Sequence, residues 1–262
     1  MVKAYRHDGF VKIPGLISAE WQKRLREGIE QNLAKPGPNA HIINKDDAGN
    51  LFFEDAGTWQ QNLHYRGYCM TSDLPEIAAM LTGSKTLRLF FDNLFVKDHG
   101  LYAPTPWHQD LPYTPLMGTF CGLWGTLDRI PRCDSIEFIR GSHRWQKSYR
   151  PNEFTTRSLG QERAGFESLE MLPDIENNRH EYDIVGWDLE PGDGIAFDGS
   201  AIHSSSSNTS GHRRHAFIVR YALHGARYLP KGGNEYPKFP NCGLFEAEPL
   251  EGPSFPAAWP RR

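Results

Sequence analysis

Cysteine is scarce in this chain of 262 residues, and the four that occur are scattered: Cys69, Cys121, Cys133 and Cys242. None of them has the paired spacing of a metal-binding cysteine motif. We therefore expect four free thiols in a protein of a reducing compartment.

Long apolar runs and blocks of like charge are also missing. No stretch approaches the roughly 18 apolar residues of a membrane span, and residues 1–8 lack the apolar run of a secretory signal. The net charge is only −3 and is spread along the chain, so neither nucleic acid nor an anionic membrane is expected as a partner. We expect a cytoplasmic protein that acts on a small molecule, while the sequence indicates no oligomeric state.

Short apolar runs separated by turn signals begin near residue 86, and this pattern is typical of a sandwich or barrel. The expected strands are residues 87–96, 120–127, 135–139, 183–189, 194–197 and 215–223. Hydrophobic residues make up 39% of the chain, enough for a sizeable core. We predict one domain over residues 1–262, with a helical part at about 1–85, a strand-rich core at about 86–228 and an extended, proline-rich tail at 229–262.

Two amphipathic helices are predicted ahead of the strands. Ser18 is placed to cap the first, and Asp73 is a plausible N-cap for the second, which should end at Gly83. Residues 39–63 show no clear period and are expected to form a loop bordering a pocket. The polar stretch 150–181 is expected to cross over the fold as a candidate lid.

The candidate metal site combines His108 and Asp110, in the segment Trp-His-Gln-Asp, with the distant His203. His108 and Asp110 are two residues apart, so on a β-strand their side chains leave the same face. Two imidazoles and one carboxylate on one face of a metal leave open positions, which is the arrangement of non-haem Fe(II) oxygenases. The structural alternative is a hydrogen-bonded strand histidine at 108 and a turn-forming aspartate at 110.

Arg214 lies eleven residues beyond His203 and begins an expected strand. We expect that strand to be the antiparallel neighbour of the one that carries His203, so that the guanidinium of Arg214 can hold a carboxylate near the metal. Arg213 and Arg214 face opposite sides of a strand. Only the eleven-residue offset selects Arg214, and a register shifted by one residue would select Arg213.

These residues resemble the phytanoyl-CoA dioxygenase family of Fe(II)- and 2-oxoglutarate-dependent oxygenases. The resemblance runs from about Asp8 to about Tyr221. It is carried by five segments: Trp107–Asp110, Pro191–Asp193, His203 with Arg214, Arg140–His143 and Gly9–Gly15. It implies a mainly β fold, the double-stranded β-helix or jelly roll with flanking α-helices. It also implies Fe(II), 2-oxoglutarate and O2 as cofactor and co-substrates.

The resemblance further implies roles for individual side chains. The metal ligands would be His108, Asp110 and His203. Arg214 would bind the distal carboxylate of 2-oxoglutarate with help from Ser205, and Lys97 is a weaker co-substrate candidate. Trp124 either belongs to the core or lines the co-substrate pocket, and Tyr113 is a candidate substrate contact.

Two departures from the family pattern affect the expected lining of the pocket. Residues 132–135 read Arg-Cys-Asp-Ser where many members have Glu-Asn-Gly, and Ser204 stands where a glycine is usual. Neither departure removes a metal ligand. Asp110 occupies the position at which related halogenases carry a small residue, and its presence favours hydroxylation or another oxidation, with desaturation or ring chemistry as further outcomes.

The predicted function is hydroxylation of an unactivated C–H bond of a small or medium-sized metabolite, with release of succinate and CO2. One alternative is a cupin-like isomerase or dioxygenase that does not use 2-oxoglutarate, and Arg214 argues against it. The other is a non-catalytic binding module of the same fold, which would be expected to have lost a metal ligand.

Overall fold

The computed structural model describes residues 1–100, 104–152, 165–239 and 242–261. The helices in these ranges are α1 (Val2–Asp8), α2 (Ala19–Ala34), α3 (Leu63–Thr71) and α4 (Leu74–Thr82). The side chain of Ser18 accepts a hydrogen bond from the backbone of Trp21 at the start of α2, as predicted. Gly83 ends α4 in the left-handed region at a φ of 73°, which favours glycine. None of the helices in the described ranges is long and apolar enough to cross a membrane.

The strands of the described chain form three antiparallel sheets. They are β1 (Phe10–Ile13), β2 (His41–Lys45), β3 (Leu51–Ala56), β4 (Leu87–Lys97), β5 (Thr105–His108), β6 (Leu116–Met117), β7 (Phe120–Thr126), β8 (Ile136–Ile139), β9 (Ile184–Val185), β10 (Gly194–Asp198), β11 (His203–Ser205), β12 (Arg214–Leu223), β13 (Arg227–Tyr228) and β14 (Ala257–Trp259). The largest sheet has the order β1-β10-β7-β12-β4-β3-β2, with β14 also paired to β4. The second has the order β5-β11-β8-β9, and β13 pairs with β6.

Side chains of the two larger sheets pack against each other, and the fold is the jelly roll that the sequence predicted. Strand β12 shows how the layers are built, because alternate residues of a strand leave opposite faces. Phe217 and Tyr221 pack towards the helices, and Ile218 packs between the sheets. The apolar run of β12 is therefore continuous because both of its faces are covered.

Two expectations about segments outside the central strands were wrong. Residues 39–63 are not a loop, because β2 and β3 pair with each other and β3 pairs with β4, although the segment does border the cavity between the sheets. The tail lies against the body, since Phe255 is fully buried, but it is not coil throughout, because β14 adds to the large sheet. Within the polar stretch 150–181, residues 153–164 lie outside the described ranges.

Candidate active site

Three predicted side chains meet in the cavity between the two large sheets. His108 ends β5, His203 begins β11, and these two residues are paired in register. We expected Asp110 on the same strand as His108. It instead follows that strand, with helical backbone at a φ of −73°. One ligand atom from each of the three side chains lies within 4.8 Å of the others.

Hydrogen bonds orient both imidazoles towards Asp110. Nδ1 of His108 lies 2.8 Å from the carbonyl of Pro106, and Nδ1 of His203 lies 3.0 Å from the carbonyl of Ala201. Because a carbonyl only accepts, each Nδ1 carries a proton, and the Nε2 atom of each ring is directed towards Asp110. The two Nε2 atoms lie 3.3 and 3.7 Å from Oδ1 of Asp110. Burial, together with the neighbouring imidazole, lowers the pKa of His203 to about 3, so this ring is neutral at neutral pH.

Arg220, which the sequence analysis missed, holds the second oxygen of Asp110. Its Nε and Nη2 atoms donate to Oδ2 at 3.0 and 2.7 Å, and its Nη1 donates to the side chain of Asn93 at 2.6 Å. Burial alone would raise the pKa of the Asp110 carboxyl, but the Arg220 guanidinium and the imidazoles bring it well below its ordinary value. The sequence did contain a signal for Arg220. It lies six residues after Arg214 on a buried strand, and residues an even number apart on a strand face the same side.

Arg214 lies in the same cavity, and Arg213 does not. Arg214 is buried and lines the cavity, and its Nη2 lies 3.3 Å from Oγ of Ser205, to which it donates. Arg213 instead pairs with Asp98. The expected strand arrangement was wrong, however, because β12 pairs with β4 and β7, while β11 belongs to the other sheet. Arg214 therefore reaches Ser205 across the cavity.

The remaining predicted residues also line this cavity. Lys97 is paired in register with Arg214, and its ammonium lies 4.4 Å from the centre of the Phe52 ring. Burial, and then the charge of Arg214, lowers the pKa of Lys97 well below its ordinary value. Trp124 both lines the cavity and packs in the core between the sheets, so its two expected placements are compatible. The hydroxyl of Tyr113 lies 2.8 Å from the backbone of Asn152.

The atypical residues near the distal histidine also contribute to this site. The backbone carbonyl of Asp134 accepts a hydrogen bond from Arg214, and Ser204 lines the cavity. His143 and His215 do not line it. His215 instead contacts the carboxylate of Asp128 at 2.8 Å.

Comparison with known proteins shows the family of this chain. The model of the phytanoyl-CoA dioxygenase (PhyH) family matches residues 5–216. The chain belongs to the phytanoyl-CoA dioxygenase family. Enzymes of this family depend on Fe(II), 2-oxoglutarate and O2, which confirms the predicted cofactor and co-substrates.

The similar proteins differ in the reactions that their names state. A Danio rerio protein, phytanoyl-CoA dioxygenase domain-containing protein 1, is 23% identical over 82% of this chain and 87% of its own length. The epimerase SnoN, solved with Fe3+, alpha ketoglutarate and nogalamycin RO, superposes with a TM-score of 0.79 at 24% identity, covering 98% of this chain and 96% of its own. The carbocyclase SnoK of nogalamycin biosynthesis superposes with a TM-score of 0.77 at 24% identity, covering 98% of this chain and 94% of its own. The non-heme monooxygenase ThoJ superposes with a TM-score of 0.64 at 19% identity, covering 87% of this chain and 79% of its own.

Proposed function

We propose that this protein hydroxylates a C–H bond of a small or medium-sized metabolite, using Fe(II), 2-oxoglutarate and O2. The observation that carries the proposal is that one cavity contains both a cluster of three possible metal ligands and a buried guanidinium. The side chains of His108, Asp110 and His203 converge there, and the buried guanidinium of Arg214 lines the same space. A cupin-like enzyme without 2-oxoglutarate, or a binding module, has no evident use for that arginine.

The donor set fits a divalent iron ion. Two neutral imidazole nitrogens and one carboxylate oxygen form the ligand set of non-haem Fe(II) oxygenases. The proton on each Nδ1 is held by a backbone carbonyl, so the rings need no rearrangement to bind. We assign His108, Asp110 and His203 as the metal ligands.

The co-substrate is assigned to the side of the cavity where the buried cations lie. Arg214 would bind the distal carboxylate of 2-oxoglutarate, with Ser205 and Lys97 beside it. Trp124 would shape the apolar wall of that region. Tyr113 borders the cavity next to the metal ligands, where a substrate would lie, since its ring centre is 6.0 Å from that of His108.

The chemistry is divided between the cofactors and the chain. When bound, iron would activate O2, the oxidant, which would accept two electrons from 2-oxoglutarate and two from the substrate, so that one oxygen atom goes to succinate, formed with CO2, and the other to the hydroxylated product. The chain contributes orientation, because Arg220 and two backbone carbonyls fix the three ligand side chains. It also contributes exclusion of water, because the ligands are buried.

A second candidate outcome is epimerisation or ring closure. It is favoured by the names of SnoN and SnoK, whose folds match almost the whole chain. A shared fold does not determine the reaction. Product mass separates the outcomes, because hydroxylation adds an oxygen atom, epimerisation leaves the mass unchanged and ring closure removes two hydrogen atoms.

The test is succinate formation from 2-oxoglutarate in the presence of Fe(II) and a panel of candidate metabolites. His108→Ala, Asp110→Ala and His203→Ala should each abolish it, while the exposed His212→Ala variant should retain it. Substantial activity in any of the three variants would contradict the ligand assignment. Full activity with Zn(II) alone would contradict the oxidative mechanism, because zinc has no redox chemistry.

A further inference from the structure

The cavity carries basic and acidic side chains on different parts of its wall. Lys97 and Arg214 provide two buried basic side chains. Glu54 of β3 also lines the cavity, is 7% exposed, and bonds through its carboxylate to the side chain of Asn93. Asn93 and Lys97 are four residues apart on β4, about 13 Å along the strand. The carboxylate of Glu54 is therefore hydrogen-bonded to a residue four positions along β4 from Lys97, which lies in the part assigned to 2-oxoglutarate binding.

The hydrogen-bonding partners of Glu54 are neutral or only conditionally charged. Oε1 accepts from the side-chain amide of Asn93 at 2.5 Å and from the hydroxyl of Tyr236 at 2.9 Å. Oε2 lies 3.3 Å from Nε2 of His41. The guanidinium of Arg220 donates to other acceptors. Across the described ranges, no lysine or arginine forms an ion pair with Glu54.

A buried carboxylate without a matching cation is costly, because removal from water disfavours its charged form. This cost is visible in Glu54, since burial raises the pKa of its carboxyl despite His41, the hydroxyl of Tyr236 and the charge of Arg220. Arg220 compensates Glu54 only in part, because its guanidinium is hydrogen-bonded to the carboxylate of Asp110. A positively charged group entering the cavity would compensate that cost, whereas an anionic group would increase it.

The cavity that Glu54 lines also has apolar walls. Phe52, Phe91, Phe95 and Ile43 line the same cavity, and the rings of Phe52 and Phe95 lie 6.2 Å apart. Such surfaces bind hydrocarbon or aromatic groups by burial of apolar area. The expected ligand therefore combines an apolar body with a cationic group.

We propose that Glu54 is a specificity-determining residue that binds a basic nitrogen on a substrate with an apolar body. The inference rests on the proposed function, because 2-oxoglutarate must occupy the cationic part of the cavity. A charged ammonium would donate to the carboxylate of Glu54 and place the apolar body against the phenylalanine rings. A carboxylic acid or a CoA thioester would bring negative charge to the same carboxylate and would be disfavoured.

Three probes of matched shape test this proposal: phenylbutylamine, phenylbutanol and phenylbutanoate. They are titrated anaerobically, by calorimetry, into the full-length protein saturated with Fe(II) and 2-oxoglutarate. We expect the amine to bind about tenfold more tightly than the alcohol, as for one charge-assisted hydrogen bond, and the acid to bind most weakly. Equal affinities, tighter binding of the alcohol or the acid, or no binding of the amine would overturn the proposal.

A substitution tests whether the preference for the amine depends on Glu54. Glu54→Gln keeps the shape but removes the charge, so the preference for the amine should disappear while 2-oxoglutarate affinity is unchanged. Glu76→Gln, at an exposed position of α4, is the matched control and should keep the preference. A Glu54→Gln protein that still prefers the amine would contradict the assignment. The wild-type comparison needs no variant, so it decides the question even if this substitution impairs folding.

The same titrations separate this inference from the proposed function. 2-Oxoglutarate is titrated first, into the Fe(II)-loaded protein. If it fails to bind, the proposed function is wrong and this inference fails with it. If it binds normally and the three probes then bind alike, only the inference about Glu54 is wrong.

Discussion

Arg220 donates two hydrogen bonds to a single oxygen of Asp110, Oδ2, from Nε at 3.0 Å and from Nη2 at 2.7 Å. Both side chains are buried. Because Oδ2 is occupied in this way, Oδ1 is the oxygen that faces the imidazoles of His108 and His203. Arg220 thus determines which oxygen of the carboxylate is available to the metal ion proposed for this site.

Removal of Arg220 should weaken metal binding. Arg220→Ala frees the Asp110 carboxylate to rotate, and loss of such a supporting hydrogen bond lowers metal affinity by about ten- to a hundredfold. Anaerobic titration of the metal-free protein with Fe(II) measures the change. Arg220→Lys should restore part of the affinity, because an ammonium lacks the planar two-pronged geometry. Unchanged affinity in Arg220→Ala would show that the ion pair does not position Asp110.

Arg214 should control the affinity for 2-oxoglutarate. A charge-assisted contact to the distal carboxylate contributes about 1.5–3 kcal/mol, so Arg214→Ala should weaken co-substrate binding roughly ten- to a hundredfold. Calorimetric titration of the Fe(II)-loaded protein measures this affinity. Arg213→Ala is the control, because that side chain pairs with Asp98 outside the cavity. If only the Arg213 variant lost affinity for 2-oxoglutarate, the carboxylate-binding residue would be Arg213 and not Arg214. If neither variant lost affinity, the proposal that 2-oxoglutarate binds here would lose its main support.

The buried carboxyl of Asp92 should make stability depend on pH. Burial raises the pKa of Asp92 from 3.8 to about 6, although Thr58 and the backbone of Trp59 donate to it. The folded protein therefore retains this proton between those two values while the unfolded chain has lost it. The resulting stabilisation is fully present below pH 3.8 and is lost as pH rises through about 6.

The size of this effect is on the order of 3 kcal/mol, from a shift of about two pKa units. Urea unfolding at a series of pH values measures it, as the difference between the wild type and Asp92→Asn. The variant should show a flatter dependence over this range. The exposed Asp73→Asn variant should follow the wild type. Parallel curves for the wild type and Asp92→Asn would contradict the raised pKa.

The tail should stabilise the fold through Phe255. This ring is fully buried and packs on Phe90 and Phe239, with ring centres 5.9 and 5.0 Å away. Phe255→Ala should lower the free energy of unfolding by about 3–5 kcal/mol, through lost burial and the cavity left behind. Phe245→Ala is the matched control, because that side chain is 78% exposed and its loss should change stability little. Equal effects of the two substitutions in denaturant unfolding would show that the tail is not docked.

Local signals predicted the elements that depend on near neighbours along the chain. The hydroxyl of Ser18 begins α2 and Gly83 ends α4, because a cap requires only contacts within one helical turn. The helix α3 was missed although Asn62 caps it, since its apolar period is weak. The expected strand at 183–189 is shorter in the structure, because Ile184 and Val185 pair with β8 as β9 and Leu189 forms only an isolated bridge with Ile130.

The chemistry of the site was largely present in the sequence, because the spacing of the His-Gln-Asp segment, His203 and Arg214 is a property of the chain itself. Only the tertiary structure decided that Arg214 approaches Ser205 from the opposite sheet rather than from the neighbouring strand. The same holds for Glu54 and Tyr236, which are 182 residues apart and yet hydrogen-bonded. Contacts of this kind depend on which distant strands pair and in which register, and residue type and local periodicity do not specify that pairing.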